Sequence, residues 1–271
     1  MVLGIDPGYS IRARHVSPVV ITDPLFYVAA VPAVILWGLS KGGFAGISAF
    51  SLPLMAMVTS PVRAASIVLP ILIAQDIVSV WAYWRTWDKR NMAILLPPAV
   101  LGVAIGYYFA AQVSDAAFSV ALGLISVLFA VRRLIIESRP VPPKPAEAKI
   151  AAGLFWGTLS GITSMIAHAG APPFQVYVIP QRLPRDVFVG TGVMYFAVVN
   201  WIKVPPFIAL GQFSRENMLT AASLLPVAIV STWAGVKLVK RVSVDRFYVV
   251  IYVLLIVVGL ELIWSGSRGM F

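Results

Sequence analysis

Five side chains able to carry, exchange or hold a charge lie within or beside apolar runs: Lys41, Asp76, His168, Asn200 and Lys203. A lysine at the centre of a membrane span costs about 2.5–3.5 kcal/mol on insertion scales. A carboxylate at depth must pair, coordinate an ion or take up a proton. Lys41 belongs to the run Trp37–Pro53, which interrupts an apolar segment with Gly38, Gly42, Gly43, Gly46, Ser40, Ser48 and Ser51. Gly and Ser let a chain turn and leave backbone N–H groups free. Such backbone is tolerated at membrane depth only inside protein or beside a cavity. The expected chemistry is anion attraction by Lys41, with Ser40, Gly42, Gly43 and Ser48 around it, aided by helix N-termini near 43–48 and 167–171. The alternative for Lys41 is a side chain that reaches for the membrane surface.

A second group surrounds His168: Ser160, Ser164 and Gly170. His168 reads either as a satisfied polar residue or as a ligand or proton site. Asp76, beside Gln75, is the candidate proton carrier; its structural alternative is an ion pair with Lys41. Asn200 would support the site. Lys203, just before Pro205 and Pro206, is a cavity residue or an interfacial anchor. Trp81, Trp84 and Trp87 beside Arg85 read as an interfacial belt.

Positioning these residues is the task of a membrane fold. Of 271 residues, 59% are hydrophobic and 12% charged, against roughly 45–50% apolar and about 25% charged in soluble domains. The net charge of +10 is explained by Lys/Arg in cytoplasmic loops rather than by nucleic acid. Cysteine is absent, so no disulfide or thiolate metal site exists. There is no HExxH and no Walker motif, and no GxSxG surrounds Ser160; an enzyme, a metal site and a cofactor are not expected. The apolar run beginning at Val19 is too long for a signal peptide.

Ten apolar spans are predicted: 24–39, 44–58, 64–84, 92–111, 116–136, 150–166, 168–180, 187–210, 218–238 and 246–265. Six have the roughly 20 residues needed to cross a bilayer. The other four form two short pairs, 24–39 with 44–58 and 150–166 with 168–180. Trp37-Gly38 matches Trp156-Gly157, Gly42 matches Gly161 and Pro53 matches Pro172, all at an offset of 119. Asp76 falls opposite Asn200, and Gly106 opposite Gly235. The expected fold is all-α and integral to the membrane: two inverted repeats, each a short broken or re-entrant helix pair plus three full crossings, 8–10 segments in all. The divisions are an N-terminal extension (1–23), a first repeat (24–136), a proline-rich cytoplasmic linker (137–149), a second repeat (150–265) and a tail (266–271). The Gly38/Gly42, Gly157/Gly161 and Gly102/Gly106 pairs predict close helix packing.

Loops 85–91 and 237–246 and the stretch 132–149 hold 12 of the 21 Lys and Arg, so they are expected inside, with 181–186. Loops 59–63, 112–115 and 211–217 are expected outside, with both termini. Arg12 and Arg14 oppose that placement of the N-terminus.

The run from Leu36 to Met55 resembles the first-repeat signature of the sulfite exporter TauE/SafE family. Gly157 to Pro173 resembles its second-half counterpart, followed by Val189-Gly-Thr191 and Asn200-Trp-Ile-Lys203. The resemblance implies secondary transport of sulfite, small organosulfonates or related anions, and adds Thr191 to the cavity candidates. The expectation is therefore a multi-pass transporter in a bacterial inner membrane, with the lipid bilayer and a small anion as partners and homo-oligomerisation left open. The rival expectations are a cation-selective or channel-like permease using Asp76, and a non-transporting membrane scaffold or sensor.

Overall fold

The computed structural model describes residues 20–21, 23–44, 48, 51–109, 115–137 and 144–268. Every regular element among them is a helix. In chain order these are α1 (Pro24–Gly42), α2 (Ser51–Ala56), α3 (Pro61–Tyr83), α4 (Lys89–Phe109), α5 (Asp115–Glu137), α6 (Ile150–Ala167), α7 (Ala171–Val178), α8 (Arg185–Ala209), α9 (Arg215–Arg241) and α10 (Val244–Arg268), with a 3-10 turn at Ile179–Gln181. Seven described helices are long and apolar enough to cross a membrane. Starts follow ordinary capping chemistry. Asp23 accepts from Leu25 N–H ahead of Pro24, Ser60 from Arg63 N–H ahead of Pro61, and Ser214 from Asn217 N–H.

The chain packs as matched pairs. α1 lies along α9 and α6 along α4; α3 meets α8 and α9; α8 also meets α4; α5 pairs with α10. Glycine sets how close these seams come. A Cβ on Gly38 or Gly42 would run into Ser231 or Gly235 of α9, and one on Gly157 or Gly161 into Leu95 or Ala99 of α4. Gly102 and Gly106 abut Gly161, Ile162 and Met165 in the same way. The glycine pairs therefore do what small residues do between membrane helices, where tight van der Waals contact replaces the hydrophobic driving force.

Loops gather at two ends. At one, Asp88 N–H donates to Thr191 Oγ1 (2.8 Å), Asn91 Nδ2 to Gln181 Oε1 (2.8 Å), Ala146 N–H to Pro180 O (2.9 Å) and Arg185 Nη1 to Val242 O (2.6 Å). At the other, Ile21 N–H donates to Thr220 Oγ1 (3.3 Å), Ser66 Oγ to Gln212 Oε1, and Arg63 pairs with Glu216 at 2.6 Å. This is the division that loop charge predicts: the basic loops share one end, and 59–63 and 211–217 share the opposite end with Ile21. Arg12, Arg14, Gly46 and most of loop 112–115 lie outside the described residues. Trp81 and Trp84 are exposed, and Arg85 stacks on the Trp84 ring at 4.5 Å.

Two spans differ from expectation. The sequence reading ends the first at Leu39, before Ser40-Lys41-Gly42; the helix continues to Gly42. α1 and α6, at 19 and 18 residues, are long enough to cross, and only α2 and α7 are short. Packing explains the continuation. α9 receives the glycines, and α3 supplies a carboxylate for Lys41, so neither residue ends the helix.

Candidate functional site: a cation-lined cavity between two helix breaks

Each first helix of a pair stops at a residue with positive φ. α1 stops at Gly43 (φ 138°), and Phe44 N–H closes back on Leu39 O at 3.2 Å. α6 stops at His168 (φ 52°, ψ 24°), and Ala169 N–H bonds Thr163 O at 3.1 Å. Glycine adopts such angles freely, whereas a side chain there costs of order 1 kcal/mol or more.

Between the breaks lies a cavity of about 70 Å³, walled by Trp37, Leu72, Phe174, Phe188, Val193 and Phe196. A single water needs about 10–15 Å³ of such space, so the cavity has room for a few waters or one small ion. Ser40, Lys41, Gly43 and Ser48 enter it from the first break, Ser164 and His168 from the second, and Asn200 and Lys203 from α8. Asn200 and Lys203 are three apart on one helix, hence on one face.

Two polar groups meet there. In the first, the Lys41 ammonium pairs with Asp76 Oδ1, and Asn200 Nδ2 donates to Oδ2 at 2.6 Å. Asp76 is 2% exposed, and both its oxygens are engaged. Behind it, a cleft between α3 and α8 opens outward past Ile73, Ile77, Trp81, Trp84 and Trp201, with Asp76 at its floor. In the second group, Lys203, 1% exposed, donates to Ser164 O (3.2 Å) and to His168 Nδ1 (2.8 Å). His168 Nε2 lies 3.3 Å from Ala65 O. A carbonyl only accepts, so Nε2 carries the hydrogen and Nδ1 is the acceptor for Lys203. Among the described residues no carboxylate lies within ion-pair reach of Lys203.

The remaining candidates sit elsewhere. Gly42 is in the α1–α9 seam, its carbonyl accepting from Tyr83 Oη at 3.0 Å. Ser160 Oγ donates to Gly170 O (2.8 Å), which ties the turn between α6 and α7. Gly170 is tightly packed against Ser160, Ser164 and Phe196. Gln75 Nε2 donates to Val34 O (3.2 Å), cross-linking α3 to α1. Thr191 holds the α3–α4 loop at the basic end, while its neighbours Gly192 and Val193 line the cavity. Helix N-termini contribute less than expected. α2 starts at Ser51, later than 43–48, and has six residues. α7 starts at Ala171, but Pro172 and Pro173 have no N–H and Phe174 N–H is taken by Gly170 O, which leaves Ala171 the one first-turn donor.

The sequence reading missed the aromatic walls, because Phe174, Phe188 and Phe196 look like any core aromatic. It also missed Glu261, a half-buried carboxylate in α10 whose Oε2 has no hydrogen-bond partner among the described residues. Its signal was plain: an acid within the 246–265 run.

Comparisons with known proteins agree with this architecture. A family model described as "Sulfite exporter TauE/SafE" matches residues 30–262. The "Probable membrane transporter protein MamO" of Magnetospirillum gryphiswaldense (strain MSR-1) is 24% identical over 144 residues, covering 51% of this chain and 22% of that relative. The chain thus spans under a quarter of that protein's length. No solved structure matches.

Proposed function

The chain belongs to the sulfite exporter TauE/SafE family, a family of membrane transporters, and on that premise we propose that it is a secondary transporter carrying sulfite, an organosulfonate or a related small anion across a bacterial inner membrane. One observation carries the reading. The cavity between the breaks is lined by Lys41 and Lys203, and the one carboxylate at its edge, Asp76, is already committed to Lys41 and Asn200. Burying charge is costly unless it is matched; a visiting anion is the match that Lys203 lacks. Asn200, Ser40 and Ser48 would donate hydrogen bonds to oxyanion oxygens, and the aromatic walls would keep bulk water out and strengthen the electrostatic attraction. The same commitment of Asp76 weighs against a cation site, since a cation would have to displace both of its donors.

Inverted repeats are part of the proposal. The α1–α9 seam has its counterpart in α6–α4 and the α3–α9 contact in α8–α4, while α3–α8 and α5–α10 pair matching elements with one another. This is the pattern expected when two copies of opposite orientation meet around a midplane site built from broken helices. Proton coupling through Asp76 belongs to the same reading: an anion that draws Lys41 away leaves the carboxylate free to take a proton.

Flux in proteoliposomes tests the function. Sulfite or sulfoacetate uptake is expected in the parent and is expected to fall at least tenfold in Lys41→Ala. Unchanged flux and affinity in that variant would remove the anion site as described.

A further inference from the structure

We propose that His168 is a second proton acceptor, covered by Lys203 and uncovered when the substrate anion draws that lysine away, so that proton uptake follows anion binding. The inference rests on the anion-transport reading and adds a coupling residue to it.

Three observations converge. The first is valence. A neutral imidazole with its hydrogen on Nε2 has one lone pair, on Nδ1. Nε2–H is spent on Ala65 O, and Nδ1 faces the Lys203 ammonium at 2.8 Å. No proton can bind His168 in that arrangement without placing two cationic donors nose to nose in a buried site. The second is backbone. His168 holds a left-handed conformation (φ 52°) that glycine would hold without strain, and its counterpart break uses glycine at Gly43. A strained backbone that carries an imidazole into a cavity is the kind of outlier that marks a working side chain. The third is access. His168 and Lys203 both line the cavity that would admit the anion.

The sequence of events follows from charge. An anion entering the cavity attracts Lys203, which rotates off Nδ1 and keeps its proton. Nδ1 is then exposed beside a neutralised ammonium, and a proton relayed from bulk solvent through water entering with the anion binds its lone pair. The imidazolium forms only while the anion screens it from Lys203, so neither ion binds well alone. At His168 one proton enters for each monoanion, in addition to any taken up by Asp76. The charged groups facing this site are Lys203 on α8 and Lys41 on α1, with Asp76 on α3 acting on Lys203; Phe207 packs against the ring at 6.0 Å.

Methanesulfonate is the first probe, because its sulfonate holds no titratable proton. Calorimetric titration into the solubilised full chain, repeated in buffers of different ionisation enthalpy, counts protons taken up per anion. Net uptake is expected in the parent and is expected to fall by one proton per anion in His168→Gln. In proteoliposomes an inward proton gradient is expected to accelerate uptake in the parent and to accelerate it less in His168→Gln. Binding without proton uptake in the parent overturns the role of His168 and leaves anion transport standing. So does an uptake equal to the parent's in His168→Gln or, should that variant lose methanesulfonate binding, in His168→Asn. If methanesulfonate, sulfite and sulfoacetate all fail to bind the parent, the transport reading fails and this inference with it.

Discussion

The two helix breaks solve one geometric problem with different residues. Both end a long helix at a positive φ, and in each the next described α-helix is short. The first break does so with Gly43 and places its charge within the helix, two residues earlier at Lys41, where Asp76 on α3 neutralises it. The second does so with His168 itself, which meets the Lys203 of α8. One break thus holds a matched ion pair and the other an ammonium with no carboxylate among the described residues within ion-pair reach. The comparison separates two uses of a buried lysine. Lys41 holds α1 and α3 in register until an anion draws it from Asp76, whereas Lys203 meets the anion with no carboxylate to leave.

Stability measurements can break this distinction. Lys41→Met leaves Asp76 buried without its cation, a change worth about 3–5 kcal/mol; thermal unfolding in detergent should show a large loss, and Lys41→Met combined with Asp76→Asn should regain much of it. Gly43→Ala comes next. Its Cβ would meet Val239 at 2.9 Å in a backbone conformation that side chains avoid, so a loss of about 1–3 kcal/mol is expected from strain. Lys203→Met should give the smallest change, neutral or slightly stabilising, since replacing an uncompensated buried charge by an apolar chain removes a desolvation cost. Its anion affinity should nevertheless fall at least tenfold, about 1.4 kcal/mol, as read by calorimetry. If Lys203→Met destabilises as strongly as Lys41→Met, the two breaks do not differ as described and Lys203 is structural.

Much of the fold was legible in the chain. Long apolar runs can satisfy their backbone in lipid only as helices, which is why the span boundaries at Pro61, Ile150 and Ala171 fall close to those read from sequence. Loop charge grouped the ends for a similar reason: basic loops resist translocation. The extent of α1 was not legible. Ser40-Lys41-Gly42 reads as a turn until one knows that Gly235 accepts the glycine and Asp76 the lysine, and both partners lie far along the chain. The candidate site divided in the same way. Residue type alone marked Lys41, Asp76, His168 and Lys203 as out of place, whereas Gly42, Ser160, Gly170, Gln75 and Thr191 have types that serve equally in a seam, a turn or a cavity.

The sequence by itself determined that this chain spans a membrane, which two stretches contain its breaks, and that charge is buried near both of them, because the cost of polar groups in lipid is local and can be read residue by residue. The tertiary structure decided which charge answers which. Asp76 and Asn200 are 124 residues apart, and His168 takes its partners from α3 and α8. Whether a lysine is paired or waiting depends on what packs across the cavity from it, and nothing in its own neighbourhood of sequence fixes that.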